Sequence, residues 1–193
     1  MHKSVSLNNK EIVVSDYTKE QYEKSYKKVK PYIKKTTKAV QKVLNYRRSR
    51  QKLRGRKRGK LDGKNLYKTG FGDRKVFYKR NINEPDLAVH LLIDQSGSMG
   101  RSAGKGYSRM DRARQAGILF RTILKKLDIP HAIWGFSANY HAEEVYSWEY
   151  VNFSNWKDRD DAVMGAITCS EDNRDGYNIR LASDELKGRN EKK

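Results

Sequence analysis

The chain has 193 residues, 42 of them Lys or Arg against 23 Asp or Glu, and only 36% are hydrophobic. At about 100–200 residues per domain this is one domain, or one domain with a long arm, and no run approaches the roughly 20 apolar residues that cross a bilayer. Cys169 is alone, which excludes an internal disulfide and a CxxC metal or redox pair. Met1-His2-Lys3-Ser4 lacks the apolar stretch of a secretory signal, so the expected compartment is the cytoplasm.

The net charge of +19 is unevenly spread. Residues 1–80 hold 26 Lys and Arg against 6 Asp and Glu, whereas residues 81–193 hold 16 against 17. A basic arm is thereby set apart from a nearly neutral body, with the change near Asn81. Within the arm, residues 1–46 read as helical and 47–80 as a basic linker leading into the body.

Thr18 followed three residues later by Gln21 fits a capping box that opens a helix. Tyr22, Tyr26, Val29, Ile33, Val40, Val43 and Leu44 then recur at helical spacing and form one stripe. Pro31 lies inside the pattern and removes an amide donor, which predicts a kink or two helices. The stripe needs a cover: the body, a partner or a second copy.

The run from Arg47 to Lys60 contains Arg47, Arg48, Arg50, Arg54, Arg56, Lys57 and Arg58. Such a run can neutralise phosphates and release counterions. It carries no interleaved aromatics for base stacking, and no nucleic-acid module is legible. The plainer reading is a solvated linker or a surface for an acidic protein; nucleic-acid binding through residues 47–60 is the alternative function.

From Asp86 the pattern changes. Leu87 to Ile93 is nearly all apolar, as a central parallel strand buried on both faces would be. It ends in Asp94-Gln95-Ser96-Gly97-Ser98-Met99 and a glycine-rich loop from Gly100 to Gly106. A helix follows over about 108–127, with Ala113, Ala116, Leu119, Phe120, Ile123, Leu124 and Leu127 on one side, stopped by Asp128 and Pro130. His131 to Ser137 reads as the next strand. Strand, helix, strand is a βαβ unit, whose right-handed crossover implies a parallel sheet covered by helices. Ligand chemistry in such sheets lies at the carboxyl ends of the strands, where Asp94 sits.

Asp94, Ser96 and Ser98 place one carboxylate and two hydroxyls at alternate positions of a tight loop that Gly97 lets turn. Hard oxygen donors of this kind suit octahedral Mg2+ or Mn2+. One carboxylate under-neutralises a divalent ion, so an incoming carboxylate from a partner is favoured.

Leu91 to Met99 resembles the first loop of the metal-ion-dependent adhesion site of von Willebrand factor A domains. Gly59-Lys60-Leu61-Asp62, Lys75 to Arg80, Asp86 to Val89 and Trp134-Gly135-Phe136-Ser137 are similar to the A-domain region of cobaltochelatase CobT-type subunits and of nitric-oxide-reductase activators of the NorD type. Asn173-Arg174-Asp175-Gly176-Tyr177 and the residues to Ala182 resemble the CobT-type second metal loop and its helix. The resemblance covers roughly residues 50–193. It implies an α/β, Rossmann-like three-layer A domain over 81–193 lacking its final strands, preceded by a basic α-helical arm. It also implies Mg2+ or Mn2+ held by Asp94, Ser96 and Ser98, with Asn173 and Asp175 as further ligands. Many A domains have Thr where Asn173 stands, so capping of the helix near Tyr177 is an equal reading for Asn173 and Asp175. The function implied is non-catalytic protein recognition beside a MoxR- or CobS-like AAA+ ATPase, in metal insertion or metalloenzyme activation.

Other residues have plainer readings. His90 and His131 lie in strand patterns and are expected to pack there. Gly100 to Gly106 lacks the GxxxxGK[ST] order of a phosphate loop. Tyr140, Tyr146, Trp148, Tyr150, Phe153 and Trp156 read as strand and core aromatics, with some available to rim the metal face.

Overall fold

The computed structural model describes residues 6–50, 52–80, 87–139, 141 and 144–189. In chain order, β1 (Ser6–Lys10) is followed by α1 (Asp16–Arg50), β2 (Lys52–Arg56), β3 (Lys60–Leu61), a 3-10 helix (Gly63–Phe71) and β4 (Phe77–Arg80). Then come β5 (Val89–Asp94), a short 3-10 turn (Gly97–Gly100), α2 (Arg109–Lys126), β6 (His131–Asn139), β7 (Glu144–Val151), a 3-10 segment (Asp161–Ala166) and α3 (Asp175–Lys187). These form two compact units, Met1–Thr37 with Leu87–Lys193, and Lys38–Asp86. The charge-based boundary at Asn81 lies outside the described residues.

The first unit is α/β. Its sheet has the order β1-β7-β6-β5. β5 and β6 are parallel, with Val89 opposite His131 and Asp94 opposite Phe136, so the expected βαβ crossover through α2 is present. β7 runs antiparallel to β6, and β1 pairs parallel to β7. β5 was expected to be central; among the described residues no strand pairs with its other edge, and five of its six residues are only partly buried. Successive side chains of a strand point to opposite faces. Leu91 and Ile93 join a core with Met110 and Ile118 of α2, Ile133, Val163, Met164 and Ile167. His90 faces the other way, against Trp134 and Phe153 and 3.0 Å from Glu185 of α3. Helices thus cover both faces.

α1 departs from expectation at two points. Its capping pair is Ser15 and Thr18, not Thr18 and Gln21: the Thr18 hydroxyl accepts the Ser15 amide at 2.9 Å and the Ser15 hydroxyl accepts the Thr18 amide at 3.3 Å. That reciprocal pair starts the helix at Asp16. α1 also continues through Pro31 to Arg50, past residue 46. Pro31 is exposed, so water can meet the carbonyl that the missing amide leaves, while Val29 and Ile33 on the other side are buried. Of the covers open to the stripe, the α/β core is observed over its first part, with Val29 inside it and Tyr22 and Tyr26 against it, whereas Val43 is exposed. Burial pushes the Tyr22 hydroxyl up to about 12.

α2 starts at a capping box in which Ser108 accepts the Asp111 amide and Asp111 accepts the Ser108 amide. Its buried face differs from the predicted one. Phe120 and Ala116 are exposed, while Met110, Arg114, Gly117, Ile118 and Arg121 are buried. The two arginines turn inward because each finds acceptors there. Arg121, 1% exposed, donates to Asp161 at 3.0 Å, to the Arg159 carbonyl at 3.1 Å, to the Trp156 carbonyl and to His131 Nε2.

The second unit holds a three-stranded antiparallel sheet in the order β2-β4-β3. Lys52–Arg56, inside the run expected to be linker, is β2, paired with β4 through a bulge between Leu53 and Arg56. Asp62 organises the unit. Its amide donates to the Val76 carbonyl at 2.9 Å, and its carboxylate caps the Gly63–Phe71 helix at the Lys64 amide. The same carboxylate accepts from the Asn65 amide group at 2.9 Å and pairs with Arg54 at 3.4 Å.

Candidate functional site

β5 delivers Asp94 to the carboxyl end of the parallel pair, and the chain turns there at once. Asp94 Oδ1 accepts the Ser96 amide at 2.8 Å, which folds the loop back over the carboxylate. The Ser96 and Ser98 hydroxyl oxygens lie 3.0 Å apart. Ser96 is buried, Asp94 half-buried and Ser98 exposed, so the donors run from the strand end to the surface. That 3.0 Å contact is a hydrogen bond between the two serines, and the donor set of carboxylate and hydroxyl oxygens fits a hard divalent cation. Among the described residues no three His, Cys, Asp and Glu side chains gather into a metal-holding group; at this loop Asp94 supplies the carboxylate and the serines the rest.

Gly97 serves a different purpose from the sharp turn expected of it, since its φ is not positive. A Cβ there would stand 3.3 Å from the Ser170 and Glu171 carbonyl oxygens. The loop after Ile167 is laid directly on it: the Gly97 amide donates to the Glu171 carbonyl, and the Ser170 amide donates to the Gln95 carbonyl at 2.6 Å. Further along, Ala138 and Asp172 exchange both backbone hydrogen bonds, at 2.9 and 2.8 Å. Ser137 adds a hydroxyl bond to the Asp172 carbonyl at 2.8 Å. The second loop therefore meets the first through the backbone of Ser170 to Asp172. Asn173 and Asp175 follow at the surface, both exposed, with Asp175 in the first turn of α3.

Two buried side chains hold this second loop, and sequence pattern singled out neither. Gln95 Nε2 donates to the Thr168 carbonyl and to the Tyr150 hydroxyl, each at 2.8 Å. Arg114 of α2 grips the Ile167 carbonyl with two nitrogens, at 2.8 and 2.6 Å, and pairs with Asp111 at 3.1 Å. The signal for Gln95 was its place between Asp94 and Ser96; the signal for Arg114 was a charge on the buried stripe of a helix. Burial pushes the Tyr150 hydroxyl well above the usual tyrosine range, against the pull of Gln95 and Arg114. It therefore stays protonated across ordinary pH.

Of the basic residues, Arg54, Arg56, Lys57 and Arg58 are exposed in the second unit. Arg47, Arg48 and Arg50 lie in the last turns of α1, and their side chains are outside the described residues. The glycine-rich stretch after the Asp94 loop closes on itself, the Ala103 amide donating to the Tyr107 carbonyl at 2.7 Å. No helix among the described residues is long and apolar enough to cross a membrane.

No family model matches the chain, and no solved structure matches it. The chain is 29% identical over 181 residues to the uncharacterized protein YojO of Bacillus subtilis (strain 168). That match takes in 88% of this chain and 27% of the relative, so the chain spans little more than a quarter of its relative's length.

Proposed function

We propose that the chain carries a von Willebrand factor A-type domain of the CobT and NorD group, and that it recognises a protein partner through Mg2+ or Mn2+. The observation that carries this reading is the Asp94-x-Ser96-x-Ser98 loop at the carboxyl end of a parallel βαβ strand, with the Ser96 and Ser98 hydroxyls brought into hydrogen-bond contact there. Asp94, Ser96 and Ser98 hold the ion, directly or through water. Asn173 and Asp175 are proposed as outer ligands on the loop that Gln95 and Arg114 anchor. When bound, the ion supplies an electrophilic centre with an open position, and an Asp or Glu of the partner fills it.

The rest of this reading follows the resemblance. The module is a non-catalytic subunit or adaptor beside a MoxR- or CobS-like AAA+ ATPase, in the cytoplasm, serving metal insertion or metalloenzyme activation. The test is thermal stability under Mg2+ and Mn2+ titration. A ligand that binds only the folded state stabilises it by RT ln(1 + [L]/Kd), about 2.7 kcal/mol at a hundredfold excess over Kd. For a chain of this size that is a rise in Tm of roughly 5–10 °C, expected in the wild type and absent in Asp94→Ala. An equal shift in both proteins removes Asp94 from the site, and no shift in either removes the metal.

A further inference from the structure

The Lys38–Asp86 unit is unlike the rest of the chain in charge and in what it leaves uncovered. It contains 17 Lys and Arg against four Asp and Glu. One of those four, Asp62, is buried, N-caps the Gly63–Phe71 helix and pairs with Arg54, so it does little to offset the surface charge. Arg56, Lys57, Arg58 and Lys60 are all exposed along β2, the following turn and the start of β3. The basic run itself has no aromatic residue, but the fold supplies two from elsewhere in sequence. Tyr67 and Phe71 stand four residues apart on the Gly63–Phe71 3-10 helix, 66% and 86% exposed. Their helix begins at Asp62, the residue that also ties Arg54 of β2 and the Val76 carbonyl before β4. Exposed rings, that of Tyr67 with the Lys68 ammonium 6.0 Å over its face, are thereby fixed in the same small unit as the cationic strands.

Exposed aromatic faces and a track of cations in one small unit are the two ingredients of single-strand recognition. Phosphates are neutralised along the track and unpaired bases stack on the rings. A duplex offers the phosphates but keeps its bases stacked on one another, and an acidic protein surface has use for the cations but no flat base for the rings. From these observations we propose that the Lys38–Asp86 unit binds single-stranded nucleic acid, with Arg56, Lys57, Arg58 and Lys60 on phosphates and Tyr67 and Phe71 stacking on bases. This activity is independent of the Asp94 loop.

The full chain is titrated against a fluorescein-labelled 20-mer of dT, the matching rU 20-mer and a 20-base-pair duplex, by anisotropy over a series of salt concentrations. The single strands are expected to bind at least tenfold more tightly than the duplex, with affinity falling linearly in log–log salt. Tyr67→Ala with Phe71→Ala is expected to lose tenfold or more on single strands at an unchanged salt slope, because no phosphate contact is removed. Arg56→Ala, Lys57→Ala and Arg58→Ala together are expected to lower the slope by about 2 for single strands, and Asp94→Ala to leave binding unchanged. Both rings and all three cations are exposed, so circular dichroism should be unaltered in the variants. Equal affinity for duplex and single strand overturns the proposal, as does indifference to the two aromatic substitutions. Displacement by polyglutamate as effective as by unlabelled dT would mean that the unit serves an acidic protein instead. Absence of binding at low salt overturns it outright.

Discussion

Gln95 sits between two proposed ligands, yet it is 1% exposed and points into the fold rather than toward the loop surface. Its amide nitrogen spends both hydrogens, on the Tyr150 hydroxyl and the Thr168 carbonyl. Its Oε1 is buried with no hydrogen-bond partner among the described residues. The space it occupies exists because residue 135 of β6 is glycine: a Cβ there would overlap Gln95 Oε1 and reach Tyr150 Cε2 at 3.0 Å. Gly135→Ala must therefore displace the Gln95 side chain, combining overpacking with loss of two buried hydrogen bonds. We expect a loss of about 3 kcal/mol in denaturant unfolding. The same variant should weaken any Mg2+-induced Tm shift, because Thr168 and the loop after it lose their tie to β5. A Gly135→Ala protein as stable as wild type would show that Gln95 moves aside freely and does not anchor the second loop.

At the level of elements, the strand–loop–helix–strand order around Asp94 was readable because each piece carries its own local signal. β5 announces itself by an apolar run, α2 by Ser108 and the Asp128-Pro130 stop, and β6 by a second apolar run. The face of α2 was readable only in part: Ile123 and Leu124 are buried and Ala113 and Leu119 pack on the core as expected. A hydrophobic stripe search favours Phe120 and Ala116 and rejects arginine, whereas the fold buries Arg114 and Arg121 because carbonyls from distant segments wait for them. Those acceptors come from residues 156–167, which no helical period can reveal. The Tyr67 and Phe71 platform was missed for a related reason, since the rings lie outside the basic run and join it through Asp62. Arg121 gives this scale its prediction. Arg121→Leu leaves Asp161, His131 Nε2 and two carbonyls without their common donor, which costs about 3–5 kcal/mol when a buried charge network is broken. That corresponds to a fall in Tm of roughly 6–20 °C. Arg121→Lys should recover little, because one ammonium cannot serve acceptors set around a planar fork. Near-full recovery by lysine would mean that the charge, not the fork geometry, holds α2 in place.

Across the whole molecule, charge and compactness divide the chain differently. The excess of Lys and Arg continues to residue 80, but the first half of α1 belongs to the α/β unit because Val29 and Ile33 are buried there. Charge locates a change of surface, and only packing tells which surface is spent inside. The same distinction governs the response to acid. His131 is fully buried, its Nδ1 bonded to the Ile129 carbonyl at 2.7 Å and its Nε2 facing Arg121. Burial first lowers its pKa from 6.5 to about 4, against the hydrogen bond to the Ile129 carbonyl, with the positive charge of Arg121 adding to the lowering and Asp161 opposing it. His90, wedged between Trp134, Phe153 and Glu185, is lowered to about 4 by burial. Both histidines are thus neutral in the fold at pH values where the unfolded chain is already protonated. The unfolded state binds more protons between pH 6.5 and 4, so stability is fully present above 6.5 and is lost as pH falls through that window, by on the order of 1 kcal/mol per pH unit for each histidine. Glu185 works in the opposite sense. Its pKa is raised by burial and by Glu149, so its contribution fades as pH rises through its folded pKa, which softens the slope set by His90. The expected result is a Tm that is flat near pH 7–8 and drops steadily below 6.5. In His131→Gln, which removes one of the two titrating rings, the drop should be shallower even though the variant starts from a lower Tm. A wild-type Tm unchanged down to pH 5 would mean that the two imidazoles reach water and titrate as they do in the unfolded chain.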